Sequence, residues 1–170
     1  MPQHSVVLLV EDDVGDVMLA QRAFLNAKLL NPLRTVKSGE QAIAYLLGSG
    51  IYGDREKYPM PSLVLLDLEM PGADGFEVLR WVHKQPSLKH LRIVVLTGSD
   101  SLRDVNEAYR AGANSFMIKP VDFERFAELS QTFGGSWLWI PDAVKEPEEG
   151  KAEHGLNGTS LSLPSVSARG

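Results

Sequence analysis

The sequence predicts a doubly wound α/β fold, in which a five-stranded parallel sheet carries helices on both faces. Four apolar runs have the length of strands and do not alternate with polar residues, which is typical of strands buried on both faces. Segments with helical spacing separate these runs, so right-handed crossovers should join successive strands. The expected strands are residues 6–10, 63–68, 93–97 and 115–119, with a weaker candidate at 33–37.

The segments between these strands place apolar residues at helical spacing. Ser38 followed by Gln41 predicts a capping box at the start of the second helix, because the two side chains can each satisfy a backbone N–H of the first turn. The expected helices are residues 14–29, 40–47, 76–83, 102–111 and 123–139.

One folded domain is expected over residues 1–140, followed by a disordered polar tail over residues 141–170. A chain of 170 residues is long enough to bury one core. After Ile140 the chain becomes rich in proline, glycine, serine and charged residues, and it has few large apolar side chains that could be buried on folding.

The bulk composition narrows the functional classes. A net charge of −5 argues against nucleic acid as the main partner, because binding to its backbone relies on a basic surface. The absence of cysteine excludes disulfides, thiolate metal sites and a cysteine nucleophile. The first residues lack the basic region of a signal peptide, and the apolar run that follows is too short to cross a membrane. We therefore expect a cytoplasmic protein without a membrane partner.

Three adjacent carboxylates, Glu11, Asp12 and Asp13, follow the first apolar run. Two unit charges about 4 Å apart repel by roughly 4 kcal/mol at an effective dielectric near 20. Such residues must point apart, take up protons or share a cation. They could also simply open the next helix, where acidic side chains suit the helix dipole and aspartate can cap. This segment alone leaves both interpretations open.

Other polar residues stand where the remaining strands are expected to end. Ligands of open α/β sheets bind at the carboxyl ends of the strands, where Asp67, Thr97 and Lys119 occur. Taken singly, these residues could be a buried acid with backbone donors, a hydroxyl near a helix cap and a surface lysine. Taken together with the acidic cluster, they could hold Mg²⁺ and bind phosphoryl oxygens, which predicts phosphoryl transfer to a carboxylate.

Four motifs in this order resemble the receiver domain of bacterial response regulators. They are VEDD, LLDLEMPGADGFEVL, VVLTGSD and AGANSFMIKP, and the resemblance covers about residues 5–139. It implies the CheY-like fold with the flavodoxin-like strand order 2-1-3-4-5. The long loop before the third strand and the GGSWLWIP ending also resemble single-domain receivers that are associated with bacterial phytochrome kinases.

The resemblance implies a phosphoacceptor and the residues that bind the phosphoryl group. Asp67 would accept this group from a phosphohistidine of a sensor histidine kinase, and Thr97 and Lys119 would bind its oxygens. Phe116 stands where receivers carry a switch aromatic that changes rotamer as the threonine moves. The bond between Lys119 and Pro120 is often cis in this family, and a bond to proline has only a small preference for trans.

The resemblance also distinguishes among the three adjacent acidic residues, which the charge argument does not. Mg²⁺ would be bound by Glu11, Asp12, Asp67 and the backbone carbonyl of Glu69. Asp13 would then lie outside the metal site, near the start of the first helix.

Three residues depart from those that are common in the family. Glu69 stands in place of asparagine, Gly98 stands in place of alanine after the threonine, and Ser99 lies two positions beyond it. Side chains at positions 69 and 99 should flank the water that attacks the aspartyl phosphate. These departures are therefore expected to affect the lifetime of the phosphoryl group.

The leading hypothesis is a single-domain response regulator, which is not an enzyme beyond its self-catalysed phosphotransfer and autodephosphorylation. Phosphorylation would shift its population between two states. The face of the fourth helix, fifth strand and fifth helix, with Tyr109 and Phe116, would then bind a partner such as a second copy of the chain. The alternative is a phosphorylation-independent adaptor of the same fold, which has no physical need for the acid, threonine and lysine set.

Two enzyme classes fit the sequence less well. Aspartyl phosphatases and mutases often carry D-x-D after a strand, whereas this chain reads Asp67-Leu68-Glu69 and lacks the expected cap. Nucleotide hydrolysis would need a G-x-x-x-x-G-K-[ST] loop, which the chain lacks. The G-x-G-x-x-G match at residues 48–53 follows a helix instead of a strand, so we expect a flexible connection there.

Overall fold

Strands and helices alternate along the chain in a computed structural model that describes residues 5–70, 75–98, 102–120, 122 and 124. The strands are β1 (Val6–Val10), β2 (Leu33–Val36), β3 (Pro61–Asp67), β4 (Arg92–Thr97) and β5 (Ser115–Ile118). The helices are α1 (Val14–Asn26), α2 (Gly39–Leu47), α3 (Gly75–His83) and α4 (Leu102–Arg110), with short 3-10 turns at Gly50–Gly53 and Pro86–Leu88.

The five strands form one parallel sheet in the order β2-β1-β3-β4-β5. Successive side chains of a strand point to opposite faces of the sheet, so each strand contributes to two hydrophobic clusters. One cluster packs against α1 and contains Val7, Leu9, Phe24, Leu63 and Leu65. The other packs against α2, α3 and α4 and contains Leu8, Val10, Tyr45, Leu66, Val78 and Ala108. The predicted fold class, strand order and placement of helices on both faces are confirmed.

The starts of α1 and α2 are capped by side chains. Asp13 accepts a hydrogen bond of 2.8 Å from the backbone N–H of Asp16, and Ser38 accepts one of 3.1 Å from that of Gln41. The side chain of Gln41 accepts from the N–H of Lys37, at 2.8 Å, instead of that of Ser38. The second half of the predicted capping box is therefore displaced by one residue.

Helix α1 ends at Asn26, three residues before the end that its apolar spacing predicts. Lys28 has a φ of 59°, and its N–H bonds to the carbonyl of Leu25 while the N–H of Leu29 bonds to that of Phe24. This hydrogen-bond pattern is a Schellman motif, which characteristically brings an apolar residue after the helix back onto its last turns. Leu29 packs in the same buried cluster as Phe24, so it continues the apolar pattern without being helical.

The long connection between α2 and β3 is folded against α2, and the expectation of a flexible connection is wrong. The guanidinium of Arg55 donates to the carbonyls of Tyr45 (2.7 Å), Leu46 (2.8 Å) and Tyr58 (3.2 Å). The rings of Tyr45, Tyr52 and Tyr58 pack on one another at centroid distances of 5.1–6.0 Å. One cation thus satisfies the last carbonyls of α2 and ties the loop to them.

The glycines of the G-x-G-x-x-G match serve this loop. Gly48 ends α2 with a φ of 69° and Gly50 has a φ of 61°, a conformation that side chains disfavour. They follow a helix and lead into a short 3-10 turn, so they do not form the strand-to-helix turn of a dinucleotide site.

Some predictions fall on residues that the structure does not describe. The fifth helix at 123–139 lies outside the described residues except for position 124, and so do Ser99 and the polar tail at 141–170. These expectations, and the domain boundary at residue 140, stay predictions. In the described part of the chain, no helix has the length and apolar character needed to cross a membrane.

Candidate functional site

The carboxyl ends of β1 and β3 bring three acidic side chains together. Glu11 follows β1 and Asp67 ends the neighbouring β3, and only 2% and 1% of their surfaces are exposed. Asp12 is half-buried beside them. One carboxylate oxygen from each residue lies within 4.8 Å of the others, close enough for one divalent cation to contact all three. The oxygen donors of this cluster therefore fit a hard cation such as Mg²⁺.

Asp13, the third consecutive acid, has a different position. Its side chain is exposed and caps α1, and its backbone N–H donates to the carboxylate of Glu11 at 3.2 Å. The three acids that looked alike in the sequence are therefore unequal. Glu11 and Asp12 belong to the acidic cluster, whereas Asp13 caps α1.

Lys119 reaches the acidic cluster from the end of β5. Its Nζ lies 2.8 Å from Glu11 Oε2, 3.1 Å from Asp16 Oδ2 and 3.2 Å from Asp67 Oδ1. Its backbone N–H donates to the carbonyl of Thr97, and the bond to Pro120 is cis, as expected for the family. An ammonium has three N–H donors, so each of these three carboxylates can accept one hydrogen bond from it.

Burial and charge set the protonation of this group. Burial raises the pKa of Glu11 to about 7, because the hydrogen bond from Lys119 offsets only part of the effect and Asp67 adds to it. Burial alone would lower the pKa of Lys119, but the hydrogen bonds to Glu11 and Asp16 and the charge of Asp67 outweigh it and raise this pKa. The ammonium is therefore charged at neutral pH, where Glu11 changes its charge.

Thr97, at the end of β4, faces the carboxylate of Glu69. The threonine is buried, with 3% of its surface exposed, and its Oγ1 lies 3.5 Å from Glu69 Oε1. The backbone N–H of Gly98 donates to the same oxygen at 3.3 Å, and the N–H of Glu69 donates to Asp67 Oδ1 at 3.0 Å. A hydroxyl and an N–H thus converge on one anionic group beside Asp67. That the carbonyl of Glu69 binds metal stays a prediction.

Phe116 lies on β5, on the face that carries α4. Its ring is half-buried and meets the ring of Tyr109 edge to face, with 6.2 Å between centroids and 86° between planes. Such pairs contribute about 1 kcal/mol beyond their buried area. Because the ring is not fully enclosed, a rotamer change does not require the whole core to open. The switch role itself stays a prediction.

Sequence reasoning missed Asp16. An acidic residue in the first turn of a helix is ordinarily explained by the helix dipole, and its contact with Lys119 joins residues 103 positions apart. The signal that could have found it is its place three residues after the capping Asp13, which puts it in the first turn of α1.

The chain is similar to one protein family over most of its length. The model of the response regulator receiver domain matches residues 7–131. The probable methanogenesis regulatory protein FilR2 of Methanothrix harundinacea is 37% identical over 134 residues, which cover 78% of this chain and 83% of that protein. The response regulator Rcp1 of Synechocystis sp. is 35% identical over 134 residues, which cover 79% of this chain and 89% of Rcp1.

Solved structures with the same architecture include two response regulators. The bacteriophytochrome response regulator AtBRR matches with a TM-score of 0.72 and 35% identity, covering 83% of this chain and 100% of that one. The Mn²⁺-bound form of Rcp1 matches with a TM-score of 0.65 and 33% identity, covering 81% of this chain and 99% of that one.

Proposed function

This chain belongs to the response regulator receiver family, and from that premise we propose that Asp67 accepts a phosphoryl group from a sensor histidine kinase. Proteins of this family act in two-component, phosphorylation-based signalling and are signalling proteins rather than enzymes with separate substrates, and this chain is one of them. The observation that carries the proposal is the 3.2 Å separation between Lys119 Nζ and Asp67 Oδ1 at the ends of β5 and β3. A buried carboxylate that lies beside other acids and an ammonium is suited to act as the nucleophile that accepts a highly charged group.

In the proposed reaction a carboxylate oxygen of Asp67 attacks the phosphorus of a phosphohistidine. A P–O bond forms, the P–N bond breaks, and its electron pair returns to the imidazole. Lys119 would bind one phosphoryl oxygen through its charge. A divalent cation held by Glu11, Asp12 and Asp67 would supply further positive charge for the phosphoryl oxygens.

Mg²⁺ is the cation that we propose for this cluster. Receiver domains bind divalent metal, and the Rcp1 structure named above is a Mn²⁺-bound form. Mg²⁺ prefers oxygen ligands and is typically held by one or two carboxylates together with phosphate oxygens. The carboxylates grouped within 4.8 Å offer such ligands.

Thr97 would then respond to phosphorylation by binding an oxygen of the phosphoryl group. Its hydroxyl and the N–H of Gly98 donate to Glu69 Oε1, and both would bind a phosphoryl oxygen once the Glu69 side chain moves aside. Movement of Thr97 would make room on the inner side of β5 for a new rotamer of Phe116. The resulting change on the face formed by α4 and β5 would be the signal, and a second copy of the chain is the partner that we propose for it.

The kinase is proposed to be a bacterial phytochrome. This proposal rests on AtBRR, which is 35% identical and is named a bacteriophytochrome response regulator. The reaction would take place in the cytoplasm. The chain itself would contribute the self-catalysed steps, namely uptake of the phosphoryl group and its later hydrolysis.

The decisive experiment is incubation with the small phosphodonor acetyl phosphate, with and without Mg²⁺, followed by intact-mass measurement. We expect the wild-type chain to gain one phosphoryl group when Mg²⁺ is present and Asp67→Asn to gain none. Asp104→Asn is the matched control, because it removes a carboxylate of α4 that is not part of the acidic cluster. Equal labelling of Asp67→Asn and the wild type, or no labelling of either, would refute the proposal.

A further inference from the structure

We propose that Asp16 is a positioning residue for Lys119, and that it holds the ammonium at the phosphoacceptor while the other two partners of the lysine are occupied by the reaction. The inference rests on the proposed function. It starts from the contacts of Lys119, whose Nζ lies 2.8 Å from Glu11, 3.1 Å from Asp16 and 3.2 Å from Asp67. These partners differ in what else they must do.

Glu11 and Asp67 have second roles in the reaction. Both belong to the carboxylate group that fits a divalent cation, and Asp67 would also carry the phosphoryl group. A carboxylate that binds a cation or forms a P–O bond is a weaker partner for an ammonium, because its negative charge is shared. Asp16 does not belong to that group, so its charge stays available to Lys119 throughout the cycle.

Asp16 is itself well placed for this task. It lies in the first turn of α1, where its backbone N–H donates to the cap residue Asp13 at 2.8 Å. Lys119 has a long side chain of which 20% is exposed, so it needs an anchor to stay in one geometry. Fixing such a side chain costs conformational entropy, and a hydrogen-bonded anchor on α1 offsets part of this cost before the phosphoryl group arrives.

Removal of the Asp16 carboxylate should have a moderate effect on the phosphorylation rate, because 40% of this side chain is exposed. Exposed ion pairs are screened by water and contribute little. We therefore expect a loss of about fivefold in the phosphorylation rate when the anchor is removed, which is far less than for loss of the phosphoacceptor itself.

The competing explanation is that Asp16 only stabilises the start of α1 through the helix dipole. Two substitutions separate the two roles. Asp16→Ala and Asp16→Asn remove the same charge from the first turn, but the asparagine keeps an oxygen that can accept from Lys119. Asp13→Asn is the control, because asparagine caps helices well and this change removes a neighbouring charge that does not contact Lys119.

The test uses the full chain with Mg²⁺ and acetyl phosphate, and it measures the saturating rate of phosphorylation separately from the donor concentration at half-saturation. We expect Asp16→Ala to lower the saturating rate about fivefold, Asp16→Asn to recover part of it, and Asp13→Asn to match the wild type. NMR spectra of protein with ¹⁵N-labelled lysine should show the ammonium signal of Lys119 in the wild type and in Asp16→Asn. In Asp16→Ala this signal should be lost, because the ammonium protons exchange with water.

The outcomes distinguish this inference from the proposed function. If the wild type is phosphorylated and Asp16→Ala equals it in rate and spectrum, the role of Asp16 is refuted while that of Asp67 stands. If Asp13→Asn loses as much rate as Asp16→Ala, the charge of the helix start explains the effect and the positioning role is refuted. If the wild type takes up no phosphoryl group, the proposed function fails, and the role of Asp16 fails with it.

Discussion

The side chain of Glu69 accepts a hydrogen bond from the backbone N–H of Gly98, with 3.3 Å between Oε1 and the nitrogen. The same oxygen lies 3.5 Å from the hydroxyl of Thr97, so one carboxylate occupies two donors that we assign to the phosphoryl group. A Cβ atom at position 98 would stand 3.6 Å and 3.7 Å from the two carboxylate oxygens, which is ordinary contact. Gly98 therefore leaves space around the Glu69 side chain, but an alanine at this position would also leave room for it.

Glu69→Gln should accelerate phosphorylation by acetyl phosphate. The carboxylate competes with the phosphoryl group for its donors and repels it, and two unit charges about 4 Å apart interact by roughly 4 kcal/mol at an effective dielectric of 20. Because Glu69 is exposed, water screens most of this interaction, and we expect a gain of about tenfold. Glu56→Gln, an exposed glutamate of the α2–β3 loop, is the control and should leave the rate unchanged. An equal or slower rate for Glu69→Gln would contradict the competition.

Binding of Mg²⁺ should release a proton below neutral pH. The pKa of Glu11 is raised to about 7 by burial, so the side chain is mostly protonated at pH 6 and a metal ion must displace this proton. The apparent affinity should therefore rise up to about tenfold per pH unit until pH 7 and then level off. Calorimetry in two buffers of different ionisation enthalpy should count close to one proton at pH 6 and none at pH 8.5.

Two variants test the assignment of this proton. Glu11→Gln should bind Mg²⁺ weakly with no proton release, whereas Asp12→Asn should bind weakly and still release a proton at pH 6. Metal binding that is independent of pH between 6 and 8 would contradict the assignment.

The same pKa predicts that the metal-free protein loses stability as pH rises from 4.5 to about 7, because the folded state binds the Glu11 proton more tightly than the unfolded chain.

Arg55→Met should destabilise the fold without affecting phosphorylation. The change removes three hydrogen bonds from the guanidinium to backbone carbonyls, which we expect to lower the free energy of unfolding by about 2 kcal/mol. The melting temperature should fall by roughly 6 °C, whereas Arg103→Met, an exposed position on α4, should change it little. The loop precedes β3 while the site follows it, so the phosphorylation rate should stay within about twofold of the wild type. A fall in stability of less than about 0.5 kcal/mol would show that these bonds are replaced by water.

Phe116→Ala should separate phosphorylation from its structural consequence. The ring packs edge to face on Tyr109 and does not belong to the acidic cluster, so the rate of phosphorylation should stay within about threefold of the wild type. Size-exclusion chromatography of the phosphorylated proteins should show association for the wild type and a loss of it for the variant. Met117→Ala truncates the next residue of β5, which packs in the cluster on the opposite face, and it should keep the association. If both variants associate like the wild type, the switch role of Phe116 is wrong.

The fold and most of the site could be predicted from local patterns along the chain. Buried parallel strands read as uninterrupted apolar runs, and the residue that ends each run lies at the carboxyl edge of the sheet whatever the details of packing. These patterns were enough to predict that the three adjacent acids and the side chains of Asp67, Thr97 and Lys119 lie at one edge of the sheet. The choice of Glu11 and Asp12 for the metal site came from the family resemblance. The local patterns were also enough to predict the cap of α2, since a serine before a helix acts on its own first turn.

Contacts between distant segments required the folded chain. The ion pair of Asp16 with Lys119 joins residues 103 positions apart, and it gives a role beyond the helix dipole to an acid that looks ordinary in its own segment. The raised pKa of Glu11 is the sum of burial, an ammonium from β5 and a carboxylate from β3, and no single segment contains these terms. Short-range sequence patterns report only on neighbours along the chain. The charge and the reach of each functional group depend on the side chains that the sheet brings beside it.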